Sequence, residues 1–224
     1  MPRKTFLMKD KSGELRMDPL RRNNRVEMNI GNNTDYTSEV FSGLDAKTYT
    51  VQRSTFEDCR FVDCDFSFAR ITECRFNDCE FRNSNLSSVN CDKSKFIGST
   101  FGHCKATGVN WTTLDWSGYR LGSPISFESC DISFSVFNSL VLRALCLRDC
   151  RAHDVDFSEC DLEGSEFCRT DFQDSKFSAC RLDKCNFRGA TNYLIDPLGN
   201  SIEKAQFNLP EVLTLLSVFG IEVE

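Results

Sequence analysis

From Phe56 onward a large apolar side chain recurs at every fifth position. The series runs Phe56, Phe61, Phe66, Ile71, Phe76, Phe81, Leu86, Cys91, Phe96, Phe101, Ala106, Trp111, Trp116 and Leu121. The spacing slips by one residue between Gly122 and Ile125, beside Pro124. It resumes as Phe127, Ile132, Phe137, Leu142, Leu147, Ala152, Phe157, Leu162, Phe167, Phe172, Phe177, Leu182 and Phe187. A weaker version reaches back through Val51, Ala46 and Phe41 to Tyr36. A period of five fits neither the 3.6 of a helix nor the 2 of a strand. A second register, two residues before each centre, holds small side chains such as Ser54, Cys59, Cys64, Cys74, Cys79, Ser84, Ser94, Ser99, Cys104, Cys130, Cys160 and Cys180. The other three positions of each unit are mostly polar.

Units that read small–polar–Leu/Phe–polar–polar over about residues 36–192 resemble the pentapeptide-repeat family. The resemblance implies an all-β fold, a right-handed quadrilateral parallel β-helix in which four units make one turn. Residues 20 apart should then stack, and the sequence carries two such columns. One collects Phe56, Phe76, Phe96, Trp116, Phe137, Phe157 and Phe177, and the next collects Phe61, Phe81, Phe101, Leu121, Leu142, Leu162 and Leu182. The aromatic column survives the slip only as a one-residue bulge. Residues 122–126, with Gly122, Ser123, Pro124 and Ile125, are therefore expected to form a small corner loop in a continuous solenoid. Loops that leave a regular scaffold often carry function. At about 4.8 Å per coil, roughly seven to eight coils give a rod on the order of 35 Å long.

Residues 1–35 lack the repeat and are expected to be partly disordered or to cap the first coil. Residues 193–224 are expected to form a C-terminal cap and dimerisation segment. Pro210 suits a helix start and Gly220 a helix stop, so a short capping helix is expected over 210–219. Leu209, Val212, Leu213, Leu216 and Phe219 fall on one side of it, and Leu215 and Val218 widen that arc beyond what one coil end can cover. The surplus, with Ile221 and Val223, points to a second subunit. Asp196-Pro197, Asn200, Ile202, Ala205, Phe207, Leu215-Leu216 and the terminal Gly220-Ile221 and Val223 resemble the C-terminal end of Qnr-type quinolone-resistance proteins. That resemblance implies a homodimer joined through the C-terminus. It also implies an acidic rod that mimics DNA on a type II topoisomerase, DNA gyrase or topoisomerase IV, and protects it from quinolones or peptide toxins, or modulates it.

The chain has 224 residues, with 27 Lys and Arg against 33 Asp and Glu, a formal net charge of −6. Residues 1–35 carry eight basic and five acidic side chains, so the remainder is the acidic part. The excess concentrates in 149–183, where Asp149, Asp154, Asp156, Glu159, Asp161, Glu163, Glu166, Asp171, Asp174 and Asp183 face Arg151, Arg169, Lys176 and Arg181. These charges must sit outside, and Asp154, Asp156 and Asp174 should share a corner. Regular carboxylates on a narrow rod can imitate phosphates and complement a basic channel. The alternative is that they keep an interaction scaffold with no topoisomerase role soluble.

Of the 13 Cys, the pairs Cys59/Cys64, Cys74/Cys79 and Cys180/Cys185 lie five apart, not at zinc-ligand spacing, and the cysteines are expected to be reduced core filler. With two His, no nucleophile beside a base and no phosphate loop, neither an enzyme nor a cofactor is expected. No apolar run approaches the ~20 residues that span a bilayer. The N-terminus lacks an apolar export signal, so a cytoplasmic protein without membrane or direct nucleic-acid contacts is expected.

Overall fold

A chain that buries every fifth side chain must turn after each unit. The computed structural model describes residues 30–117 and 125–221, with the backbone of two short antiparallel strands, Met8–Lys9 and Leu15–Arg16. In each unit a short extended run points its centre inward, as in Arg60–Val62, where Phe61 is buried between two outward neighbours. Two residues after the centre the backbone enters the left-handed region, for example at Asp58 (φ 52°), Asp63 (φ 54°) and Asp78 (φ 51°). That residue makes the corner.

Successive coils pair in parallel at a spacing of 20 residues, Phe56 with Phe76 and Phe61 with Phe81. One sheet has six strands, Val40–Ser42, Arg60–Val62, Glu80–Arg82, Ser99–Gly102, Ile125–Glu128 and Cys146–Arg148. A second has four, Asp35–Thr37, Thr55–Glu57, Arg75–Asn77 and Lys95–Ile97. The molecule is thus a parallel β-solenoid, and its longest strand ladder spans five turns, not the seven to eight that the period suggests. Beyond it the units turn after a single bridged residue. Stacking there continues as isolated bridges such as Arg151↔Asp171 and Glu166↔Asn186.

The axis is filled by aromatic stacks. Phe56, Phe76 and Phe96 lie 4.7 and 4.6 Å apart, within 4° of parallel. Phe61, Phe81, Phe101 and Phe127 repeat at 4.6–4.9 Å. Rings on neighbouring walls meet edge to face, as Phe56 does Phe61 at 69°, the arrangement that ring quadrupoles favour.

Three expectations need correction. First, Phe137 stacks on Trp111 (5.6 Å, 10°), not on Trp116, and Phe101 pairs with Phe127. The step across the slip is therefore 26 residues. A six-residue insertion removes one whole unit from the coil, and the period alone cannot distinguish one extra residue from six. Trp116 is half-buried, and its Nε1 donates to Trp111 O at 2.8 Å. Ile125, expected in the corner loop, is a buried strand residue aligned with Ser99. Gly122, Ser123 and Pro124 lie outside the described residues, as does any structure for most of 1–29. Second, stacking continues past Asn192, with bridges Arg181↔Ser201 and Asn186↔Gln206 and with Phe207 on Phe187 at 5.1 Å. Third, the C-terminal helix is a 3-10 helix, Glu211–Phe219, closed by Gly220 at φ 64°. Leu215 packs on the core.

The small register does more than fill space. Its side chain donates to the carbonyl of the centre in the preceding coil: Ser94 Oγ to Ile71 O (2.7 Å), Cys160 Sγ to Phe137 O (3.0 Å), Cys180 Sγ to Phe157 O (3.0 Å). Several of the Ser and Thr also accept a backbone N–H from that coil, as Ser94 Oγ does from Cys74 (2.9 Å) and Ser175 Oγ from Val155 (2.9 Å), whereas Ser165 Oγ is buried without a partner among the described residues. Buried backbone groups are thereby satisfied from the side chains.

Candidate protein-binding surface

Because every centre points inward, anything the rod recognises must use the outward positions and corners. The nine acidic candidates are distributed over all four sides. Those on the extended positions of three sides are tied to basic or amide groups in adjacent coils. Asp161 pairs with Arg143 (2.7 Å) and lies near Arg181 (3.9 Å), and Glu163 pairs with Arg181 (2.8 Å) and Lys184 (2.5 Å). Glu166 accepts from Asn186 (3.0 Å) and lies 4.0 Å from Arg148. Asp149 receives both Nε and Nη2 of Arg169 at 2.5 and 2.7 Å. That fork holds the Asp149 carboxyl below its ordinary value, and the Lys184 hydrogen bond does the same for Glu163.

Asp171 belongs to a polar chain on one side of the rod. Arg151 Nε donates to His153 Nδ1 (3.2 Å), His153 Nε2 lies 2.7 Å from Asp171 Oδ2, and Asn192 donates to Asp171 Oδ1 (2.8 Å). Burial would raise the Asp171 carboxyl, but the hydrogen bonds from Asn192 and His153 leave it lowered. The backbone N–H of His153 donates to Ser133 Oγ at 3.1 Å. A Ser, a His and an Asp therefore meet, yet both ring nitrogens are occupied by other partners, so the imidazole is not placed to activate the hydroxyl.

One corner differs. Thr48, Phe68, Ser88, Gly108, Phe134, Asp154 and Asp174 all adopt left-handed φ, between 53° and 66°. Consecutive members are tied by the same bond: Phe68 N to Ser87 O, Ser88 N to Thr107 O, Gly108 N to Ser133 O, Phe134 N to His153 O, Asp154 N to Gln173 O. Of the three acids expected to share a corner, Asp154 and Asp174 stand on it one coil apart, and Asp156 does not. Asp156 lies two residues further on, with Lys176 bridged to it from the next coil. Among the described residues Asp154, Asp156 and Asp174 form no ion pair within 4.0 Å, and Glu159 accepts only from Ser139 Oγ (2.9 Å). Phe68 and Phe134 are 65% and 63% exposed. They break the five-residue rule, falling two positions after a centre where a polar residue is usual; that displacement is the signal by which the sequence could have marked them.

The C-terminal candidates divide as well. Leu213, Val218, Phe219 and Ile221 are exposed, while Leu215 and Leu216 are half-buried. Val223 lies outside the described residues. Leu209, expected on the apolar side of the helix, is exposed there too, and Leu194 and Leu198, which the sequence period gave no reason to include, extend the same apolar end.

All thirteen cysteines are free thiols, eleven of them buried, with Cys146 and Cys168 half-exposed. Burial pushes the Cys79, Cys150, Cys160 and Cys185 thiols up to about 12. No group of three or more potential metal ligands occurs among the described residues, and none of their helices is long and apolar enough to cross a membrane.

No curated protein matches the chain by sequence. Among solved structures, a trypsin-treated form of QnrB1, a plasmid-mediated fluoroquinolone resistance protein, superposes with a TM-score of 0.64 at 16% identity, covering 85% of this chain and 99% of that one. A second trypsin-treated QnrB1 gives 0.57 at 18% identity, covering 86% and 92%. At such identity the likeness establishes the fold. Family models described as pentapeptide repeat region and pentapeptide repeats (8 copies) match residues 54–137 and 153–189, together more than half of the sequence. With the twenty-residue stacking and aromatic axis already described, the chain belongs to the pentapeptide-repeat family.

Proposed function

We propose that this protein is a non-catalytic, DNA-mimicking partner of a type II topoisomerase, DNA gyrase or topoisomerase IV. It protects the enzyme from quinolones or peptide toxins, or modulates it, in the cytoplasm, as a homodimer joined through the C-terminal end. The observation that carries the reading is charge density. Residues 149–183 hold ten carboxylates against four basic side chains. At ~4.8 Å per coil of 20 residues this segment occupies roughly 8 Å of rod, about one net negative charge per 1.4 Å. Duplex DNA carries one per ≈ 1.7 Å. A surface of that density competes for a basic channel built to hold DNA.

The dimer is supported by the exposed end formed by Leu194, Leu198, Leu209, Leu213, Val218, Phe219 and Ile221. It is also supported by the helix there, Glu211–Phe219, none of whose residues is fully buried within the single chain. A dimer formed this way puts the acidic half at the centre of a long rod. The QnrB1 likeness fits the reading, since QnrB1 is a fluoroquinolone resistance protein.

The test is a supercoiling assay. Micromolar protein should change supercoiling by purified gyrase, or restore it in the presence of a quinolone, and light scattering should give a mass of two chains. Unaltered supercoiling with and without drug overturns the topoisomerase reading. A scaffold without that role is the second reading; it is favoured by the cross-coil ion pairs of Asp149, Asp161 and Glu163, which serve the rod's own cohesion.

A further inference from the structure

The corner that carries Asp154 and Asp174 also carries the two exposed phenylalanines, and ordinary packing does not account for them. Corners throughout the rod take positive φ, so what sets this one apart is the residue placed there: a bulky ring where short polar side chains are better tolerated. Phe68 (φ 58°) and Phe134 (φ 62°) leave most of their ring area in solvent, so burial does not offset the strain. Three coil steps separate them, about 14 Å at 4.8 Å per step. The two rungs between are Ser88 and Gly108, and a Cβ added at Gly108 would stand 3.5 Å from Ser88 Oγ. The result is a shallow notch with an aromatic wall at each end and a small-residue floor. One and two coils beyond the second wall come Asp154 and Asp174, whose carboxylates have no basic partner within 4.0 Å among the described residues.

We infer that this corner, from Phe68 to Asp174, is a linear docking edge for a cationic protein segment. An apolar side chain of that segment seats between Phe68 and Phe134, and Lys or Arg side chains roughly 15 Å further along meet Asp154 and Asp174. Charge selects the occupant: the aromatic notch runs directly into carboxylates with no basic partner, that of Asp174 accepting from Gln173 Nε2 at 3.2 Å, so an acidic or purely apolar segment would leave their charge uncompensated. Aromatic side chains, Phe among them, are enriched where proteins meet their partners. The inference rests on the topoisomerase reading and deepens it, placing the contact on one corner instead of spreading it over the acidic surface.

Immobilised gyrase is titrated with the full-length protein and two double variants, and binding is followed by surface plasmon resonance at several salt concentrations. Phe68→Asn with Phe134→Asn removes the rings but suits the left-handed backbone. This variant should therefore melt no lower than the parent, so lost binding cannot be lost folding. Asp154→Asn with Asp174→Asn removes charge at the same φ. The expected result is at least tenfold weaker binding for each, with a flatter salt dependence for the second only. Parent-like binding, within twofold, by the Phe variant overturns the docking edge and leaves the topoisomerase reading standing. Absence of binding by the parent overturns both. Equal salt dependence for the parent and the Asp variant removes the cationic segment as the occupant.

Discussion

Ser94 offers a test of how the coils are held together. Its hydroxyl is fully buried, donates to Ile71 O at 2.7 Å and accepts from Cys74 N at 2.9 Å. It thus closes two backbone groups of the coil before it. Ser94→Ala removes one oxygen and exposes no new surface, so the effect isolates hydrogen bonding from packing. Each buried group left unsatisfied costs about 1–3 kcal/mol, which gives roughly 2–6 kcal/mol for the pair. For a chain of this size about 1 kcal/mol shifts Tm by roughly 2–4 °C, so the variant should melt on the order of 10 °C lower by far-UV circular dichroism. Ser94→Cys is the control. A thiol is a weaker donor and acceptor, yet Cys74 occupies the same register one coil earlier and its Sγ reaches Val51 O at 3.6 Å. That variant should lose under about 1 kcal/mol, within the range of a partly retained bond. If Ser94→Ala melts within a degree of the parent, the small register is a matter of volume alone and the hydrogen-bond account is wrong.

Phe76→Ala, which empties a site between two rings at 4.7 and 4.6 Å, should cost about 3–5 kcal/mol in urea denaturation. Phe68→Gly relieves positive φ at an exposed position and should raise stability by roughly 0.5–1 kcal/mol, the left-handed penalty less the entropy of glycine. In a thiol-labelling experiment on the native protein, Cys146 and Cys168 should react first and the eleven buried thiols only on unfolding. Alkali should unfold the rod: the Cys79, Cys150, Cys160 and Cys185 thiols are raised from 9.0 to about 12 by burial. Their contribution is complete below the unfolded value and is lost as pH rises from 9.0 toward about 12, so the melting temperature should fall across that window.

The axis of the fold was legible because burial in a solenoid is strictly periodic. Phe56, Phe76 and Phe96 could be stacked from numbering alone, and so could the corner shared by Asp154 and Asp174. The slip was not legible to the same degree. A period of five records an insertion only by its remainder, and one residue and six leave the same remainder, so Trp116 was assigned the stack that Trp111 occupies. The end of the repeat was obscured by a compensated irregularity. Ile195 follows Phe177 by 18 residues, yet Ile202 and Phe207 return to twenty-residue spacing from Leu182 and Phe187, so stacking continues where the pattern seems to stop. Ion pairing was invisible for another reason. Arg143 with Asp161 and Arg169 with Asp149 lie 18 and 20 residues apart, partners only once the coil is wound.

Two causes of the rod's acidity lie in its own architecture, and they leave a remainder of charge. The corner position requires left-handed backbone, which costs non-glycine residues about 1–2 kcal/mol and is tolerated best by Gly, Asn and Asp. Asp58, Asp63, Asp78, Asp149, Asp154 and Asp174 all stand there, so backbone preference alone enriches carboxylates at corners. A second group, Asp161, Glu163 and Asp171, is engaged by Arg143, Lys184 and His153 from adjacent coils and would be present in a rod that bound nothing. Backbone preference accounts equally for Asn at residues 154 and 174, and neither carboxylate has an ion pair among the described residues. Their charge is therefore the part that turns and coil cohesion leave unexplained, together with Asp156, which sits at an extended position beside Lys176. Replacing Asp by Asn at those two corners keeps the turn chemistry and deletes only the charge. Loss of gyrase binding in that variant, with stability unchanged, would assign the charge to recognition; loss of stability would return it to the architecture.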